Sequence, residues 1–360
     1  MTSALVPSSV AELVDAVRSC PRLLAVGAGT KPRLSAPDVT KVNTSQLRGM
    51  VEYEPSEFTF TARAGTAVRE VADLLAERGQ FLPFDPLWIE AGSTLGGTVA
   101  AGLSGPGRLR FGGLRDFILG ARFVDGSGRY LRVGGNVVKN AAGFDLPKFF
   151  VGSLGRFGIL TELTFKVFPA AQSNLTVKLA AANMESASGL LMELGRSRWE
   201  PQCLDILPGA SDVYARLAGP SDALGDMAKD LLSRYRGRQL TTPEAQQVWS
   251  DLREFKWAHD QGVLIKVVLP PLVLPELTRA LETIDDSRMH VSSGGNMVFI
   301  SLAAGKQSVS LSDFLRRLSL PAMTLKGEAP LWCGNHSHWE IAEAVKLALD
   351  PENRFPSLNE

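Results

Sequence analysis

The chain is predicted to be an α+β protein of more than one domain, on three observations. Its 360 residues, 45% hydrophobic and 21% charged, suffice for a full core and exceed the size of one typical domain. Seventeen of its 34 glycines fall between Gly92 and Gly158, interleaved with apolar, β-rich runs. After Pro169 the composition changes: glycine thins, and helical and strand-like segments alternate up to about residue 320.

The first elements follow from local cues. Ser9 with Glu12 forms a capping box, and Val10, Leu13, Val14 and Val17 continue at helical spacing until Pro21. Arg22 to Val26 is a short apolar strand, and Lys41 to Asn43 a second. Met50 to Tyr53 and Phe58 to Ala62 are strands around the turn Glu54-Pro55-Ser56. A helix follows Gly65-Thr66, with Val68, Val71, Leu74 and Leu75 as its apolar stripe and Gly79 as its stop.

Next comes the glycine-rich block. Glycine weakens helices and strands alike, so this density belongs where backbone turns sharply or approaches a ligand. The Val, Leu, Phe and Ile runs between the glycines must be buried, which excludes a low-complexity linker. A long ligand in a backbone-lined groove fits better. Inside the block, Phe117 to Val124 and Tyr130 to Val133 read as strands. Ile159 to Phe168 closes it as a β-rich run ended by Pro169. The last segment, Glu340 to Leu349, is helical and stops at Asp350-Pro351.

Bulk numbers exclude some functions. Lys plus Arg (38) balance Asp plus Glu (38), so no global field favours nucleic acid or an anionic membrane. Cys20, Cys203 and Cys333 are far apart, give no disulfide framework, and are too few to ligate an iron–sulfur cluster. The N-terminal sequence lacks the basic start and apolar run of a signal peptide, and no run of about 20 apolar residues occurs. A cytoplasmic protein is expected.

Gly27-Ala28-Gly29-Thr30-Lys31 follows a strand, so phosphate-binding loops compete for it. The spacing of a Walker loop is absent. A dinucleotide fingerprint needs a third glycine where Pro32 stands. What remains is a tight turn whose N–H groups form an anion nest, with a plain strand–turn connection as the open alternative. Gly92-Ser93-Thr94-Leu95-Gly96-Gly97 supplies a second turn of small residues and hydroxyls. Two such nests suit a pyrophosphate held from both sides. Gly96 is then a position where a side chain would occupy the ligand's approach space. Gly155 to Thr161 would let backbone amides meet a planar heterocycle at its edge.

These motifs, with Glu-Tyr-Glu-Pro at 52–55 and Gly-Ile-Leu-Thr-Glu at 158–162, resemble the FAD-binding domain of the vanillyl-alcohol oxidase/PCMH superfamily. Arg110-Phe111-Gly112-Gly113-Leu114-Arg115-Asp116 and the block Gly134 to Asp145 are similar to the smaller FAD-binding subunits (GlcE type) of bacterial glycolate oxidases. The resemblance covers residues 5–170 and resumes at Val345 to Phe355. It implies a two-subdomain PCMH-type FAD-binding domain over 1–170, an α+β cap over 171–330 and a C-terminal segment over 331–360 that returns to the FAD domain.

The resemblance also implies roles. Gly27, Ala28, Gly29, Thr30 and Lys31, with Gly92, Ser93, Thr94, Gly96 and Gly97, would hold the FAD pyrophosphate. Ser104, Gly105 and Arg110 would lie towards the flavin ring, and Gly155, Gly158 and Ile159 against the adenosine half. Asp116 and Lys139 lie in the matched motifs, where a structural role is the alternative. The first loop has no His or Cys, so the FAD is expected to be non-covalent.

Oxidation of a 2-hydroxy acid needs a cation for the carboxylate and a base for the hydroxyl. Arg110 and His336 are the candidates, each with a structural or surface role as its alternative. His336, His338 and Glu340 could imitate a metal site, but a solvated loop is the simpler reading and no metal is assigned. The expectation is an FAD-dependent glycolate (2-hydroxy acid) dehydrogenase component working with a larger flavin subunit and an iron–sulfur subunit. The alternatives are a non-catalytic FAD-binding subunit of that complex and a free-standing flavin alcohol oxidase. Association with the inner membrane would come through partners.

Overall fold

The computed structural model describes residues 4–135, 146–305, 308–335 and 339–360. Lys139 and most of the Gly134–Asp145 motif, and His336 with His338, lie outside them. Along the chain the elements are α1 (Val10–Ser19), β1 (Leu23–Val26), β2 (Thr40–Asn43), β3 (Met50–Glu54), β4 (Thr59–Arg63), α2 (Val68–Ala76), β5 (Gln80–Phe81), α3 (Leu95–Ala101), α4 (Arg108–Phe111), β6 (Ile118–Val124), β7 (Tyr130–Gly134), β8 (Ile159–Lys166) and β9 (Phe168–Pro169). There follow β10 (Ser173–Leu179), α5 (Met184–Gly195), β11 (Cys203–Ile206), β12 (Val213–Gly219), α6 (Ser221–Arg234), β13 (Gly237–Gln239), α7 (Thr242–Glu254), β14 (Val263–Val268), α8 (Leu274–Leu281), β15 (Arg288–Ser292), β16 (Met297–Leu302), α9 (Ser308–Arg317), β17 (Pro321–Lys326), β18 (Trp332–Gly334) and α10 (Trp339–Leu349). The fold is α+β.

These elements form two units. The first comprises residues 1–104, 113–170 and 337–360, and the second residues 105–112 and 171–336.

In the first unit, β1 and β2 pair in parallel, Leu23 opposite Thr40. A five-stranded antiparallel sheet runs β3-β4-β8-β6-β7. Its central strand β8 is flanked on both sides, and six of its eight residues are buried, Thr161 and Thr164 among them. Phe165 of β8 stacks on Phe60 at 5.6 Å and meets Phe84 at 5.5 Å. A second core joins Leu13 and Val17 of α1 to Leu23, Val42, Ile159 and Phe355. The Ser9 hydroxyl accepts the Glu12 amide at 3.2 Å and fixes the start of α1.

The chain end is part of this unit. Lys346 of α10 donates to Asp350 at 2.7 Å and to the Phe355 carbonyl at 3.0 Å. Arg354 donates to the carbonyls of Val17 and Cys20.

The second unit is built on a nine-stranded antiparallel sheet, β13-β10-β12-β11-β15-β16-β14-β17-β18. Alternate residues such as Val291, Val298, Ile300 and Ile265 enter one apolar core with Leu191 of α5, Leu224 of α6, Leu277 of α8 and Leu315 of α9. Leu109 of α4 packs against that core, which is why residues 105–112 belong to this unit although they lie in the glycine-rich block.

Candidate functional site

An open cleft of about 740 Å³ lies within the first unit. Three backbone segments line it: the loop after β1, the first turn of α3, and the turn before β8.

The first segment is the loop from Gly27 to Lys31. Among the described residues its five amides donate to no other group of the chain. Gly29 has φ 69°, a left-handed conformation that turns the loop. Successive amides left unpaired in a turn of this kind make an anion nest.

The second segment behaves differently. Residues 95–101 form a helix, where the sequence suggested only a turn. The Thr94 hydroxyl accepts the Gly97 amide at 3.2 Å, the Leu95 amide donates to Thr66, and the Gly96 amide donates to Ala64. Ser93 donates to the Leu87 carbonyl at 3.0 Å. The amides of Gly92, Ser93, Leu95, Gly96 and Gly97 are therefore engaged inside the unit, and among the described residues only that of Thr94 finds no acceptor. Thr94, Gly96 and Gly97 line the cleft by shape, while Gly92 and Ser93 do not line it.

The third segment brings Ser153, Leu154, Gly155 and Gly158 to the cleft. Ile159 is placed otherwise than the resemblance implies: it is buried in the core with Leu13 and Val42. Side chains alternate along a strand, so it is Leu160 that faces the cleft. Ser104 is also buried, its hydroxyl accepting the Leu114 amide at 3.3 Å, and does not line the cleft.

Gly105 and Arg110 belong to the second unit. Arg110 is half exposed and donates to Glu200 at 2.6 Å. Asp116 accepts the Gly113 amide at 2.8 Å, a local structural role.

Lys31 is buried, with 9% of its surface exposed. Its ammonium donates to Thr30 Oγ1 at 2.7 Å and lies 5.0 Å from the centre of the Trp88 ring. Burial pushes its pKa down to about 8. The Ser153 hydroxyl is buried without a partner. The first loop thus presents five free amides to the cleft, beside a buried ammonium and an orphan hydroxyl. The amides and the hydroxyl are donors without acceptors, the ammonium directs one of its protons to Thr30, and a dinucleotide diphosphate supplies acceptors of the right charge. The residues fit FAD.

Lys266 carries a signal that sequence reasoning missed. It stands on β14, with its pKa pushed down to about 8 first by burial and then by the charge of Arg108. Its place within an apolar strand, Val263-Leu264-Ile265-Lys266-Val267-Val268, was the available clue. In the same unit His290 bonds Asp205 at 2.7 Å, both fully buried. Among the described residues no group of three His, Cys, Asp or Glu could hold a metal, and no helix is long and apolar enough to cross a membrane.

The fold and the cleft define an FAD-binding protein of the PCMH type. Residues 2–143 match the family model described as FAD binding domain. FAD is the cofactor. The chain is 37% identical over 228 residues to glycolate oxidase subunit GlcE of Escherichia coli (strain K12), covering 62% of this chain and 61% of that one. It is 28% identical to glycolate oxidase subunit GlcD of Bacillus subtilis (strain 168), covering 49% of this chain and 38% of the relative. It is 26% identical to a D-lactate dehydrogenase of Anaerostipes hadrus, covering 46% and 34%. It therefore spans about three fifths of the first of these relatives and just over a third of the other two. A solved structure of alkyldihydroxyacetonephosphate synthase shares the fold, with a TM-score of 0.69 at 15% identity over 97% of this chain and 74% of that one.

Proposed function

We propose that the chain is the FAD-binding component of a 2-hydroxy acid dehydrogenase of the glycolate oxidase type. The observation that carries this is the set of unpaired donors in the cleft, the amides of Gly27 to Lys31 beside a buried ammonium. The relatives named for glycolate and D-lactate support the substrate class. Bound FAD would supply the two-electron acceptor for the substrate carbon. The free amides and Lys31 hold its diphosphate, and the small residues of α3 let it lie against backbone. Among the described residues no histidine or cysteine lines the cleft, which supports non-covalent attachment.

Arg110, expected to meet the substrate carboxylate, is engaged by Glu200 at the surface. A larger flavin subunit and an iron–sulfur subunit complete the proposed assembly. The engagement of Arg110 also favours the second reading, a subunit that binds FAD while the substrate is oxidised on a partner's flavin.

The test is the visible spectrum of the purified chain, before and after anaerobic addition of glycolate or D-lactate. Flavin bands that leave with the supernatant on acid precipitation and bleach with substrate are expected. Flavin that bleaches only when the partner subunits are present selects the second reading. A chain that neither carries nor takes up FAD overturns both.

A further inference from the structure

The inference deepens the cleft and rests on its reading as the FAD site. Among the described residues lining the cleft, Lys31 is the one with a charged side chain. Its neighbours are a hydroxyl and an indole, Thr30 at 2.7 Å and Trp88 at 5.0 Å, and neither carries a negative charge. Other charged groups stand on the adjoining elements: Arg33 in the turn that follows, Asp85 and Glu90 on the loop that carries Trp88, and Arg156 after the Ser153–Gly155 turn. None of them acts on the Lys31 ammonium, whose weakened hold on its proton comes from burial alone. A buried ammonium without a counter-ion is costly, and it either loses its proton or acquires an anion.

We propose that Lys31 is the counter-charge for the cofactor's diphosphate and takes up a proton when FAD binds, so that loading of the cleft depends on pH. In the free cleft the amine is half deprotonated near pH 8. The neutral amine keeps its bond to Thr30 with donor and acceptor exchanged. Diphosphate oxygens held by the neighbouring amides would place negative charge beside Nζ, which favours the ammonium. Between about pH 8 and 10 the free site is then largely neutral and the loaded site charged, and one proton enters with each FAD. The proton comes from solvent, and no bond of the cofactor changes.

The experiment is calorimetric titration of FAD into the full chain stripped of its cofactor, in two buffers of different ionisation enthalpy, at pH 6.5 and pH 9. About one proton taken up per FAD is expected at pH 9 and almost none at pH 6.5, with affinity falling by up to about tenfold per pH unit above pH 8. Lys31→Arg should retain binding and lose the uptake, because a guanidinium stays charged throughout. Lys31→Met should bind at least about tenfold more weakly at pH 6.5, with no pH dependence. FAD binding by the wild-type chain at pH 9 without proton uptake overturns the inference and leaves the FAD site standing, as does uptake retained in Lys31→Arg. Absence of FAD binding at either pH overturns the reading of the cleft itself. The wild-type series decides the matter even if a variant fails to fold.

Discussion

A Cβ placed on Gly96 would lie 2.9 Å from the Cβ of Ala64 and 3.0 Å from its carbonyl oxygen. The Gly96 amide donates to that same carbonyl at 2.7 Å. Gly96 is therefore a glycine because α3 is pressed onto the backbone after β4. The sequence had suggested that a ligand approaches there. Gly97 is the position open to the cleft, where an added Cβ would meet only Thr94 Oγ1, at 3.1 Å. Gly96→Val should lose at least about 3 kcal/mol of stability or fail to fold, the upper end of overpacking costs. Gly97→Val should fold and lose FAD. Urea unfolding and flavin absorbance of the two variants check this, and a stable, flavin-free Gly96→Val would refute the distinction.

The same pair shows what was legible beforehand. Strands such as β8 were readable because residues of β preference, Ile159, Thr161, Thr164 and Phe165, are bounded by Gly158 and Pro169, and their limits fell within a residue or two of those expected. α3 was not, because Gly96, Gly97, Thr98 and Val99 are poor helix formers. The remaining cue was Thr94 as an N-cap and Gly102, at φ 63°, as the stop. The first phosphate loop was recognisable from Gly27 to Lys31, but which loop keeps free donors depends on tertiary partners such as Ala64 and Thr66. Ile159 and Arg110 illustrate the same limit. One depends on which face of β8 meets the cleft, the other on Glu200, 90 residues away.

Arg110→Ala should change little. The ion pair with Glu200 is half exposed on both sides, at 45% and 61%. Such pairs contribute about 0–1 kcal/mol. Stability within about 1 kcal/mol of wild type and full FAD content are expected. Loss of flavin from this variant would return Arg110 to the cofactor site and would be seen directly in the absorbance ratio.

Asp350→Asn should be severe. Asp350 is buried and accepts from Lys346, from the Arg354 amide at 2.8 Å and from the Phe355 amide at 2.9 Å. Removing the carboxylate charge strands a buried ammonium, at a cost of about 3–5 kcal/mol. Phe355 sits in the core with Leu13 and Ile159, so the loss should reach α1 and β8. Hydrogen exchange of those two elements should accelerate together in the variant. Exchange confined to residues 346–360 would show that the C-terminal segment is only loosely coupled to the first unit.

Lys31 should also leave a mark on the stability of the cofactor-free chain. Its folded pKa of about 8 lies below the ordinary lysine value of 10.5. Below pH 8 the group is protonated in both folded and unfolded chains, so its burial cost is fully present and does not vary. Between about pH 8 and 10 the unfolded chain binds the extra proton, and stability therefore rises with pH, by up to about 1.4 kcal/mol per unit from this group. Lys31→Met removes the contribution. The difference in urea midpoint between variant and wild type should stay constant from pH 6 to 7.5 and then shrink as the wild type gains stability, until saturating FAD restores the charge and flattens the wild-type curve. A difference that stays constant to pH 9.5 without FAD would mean that the ammonium is hydrated in the free cleft and that burial does not weaken its hold on the proton.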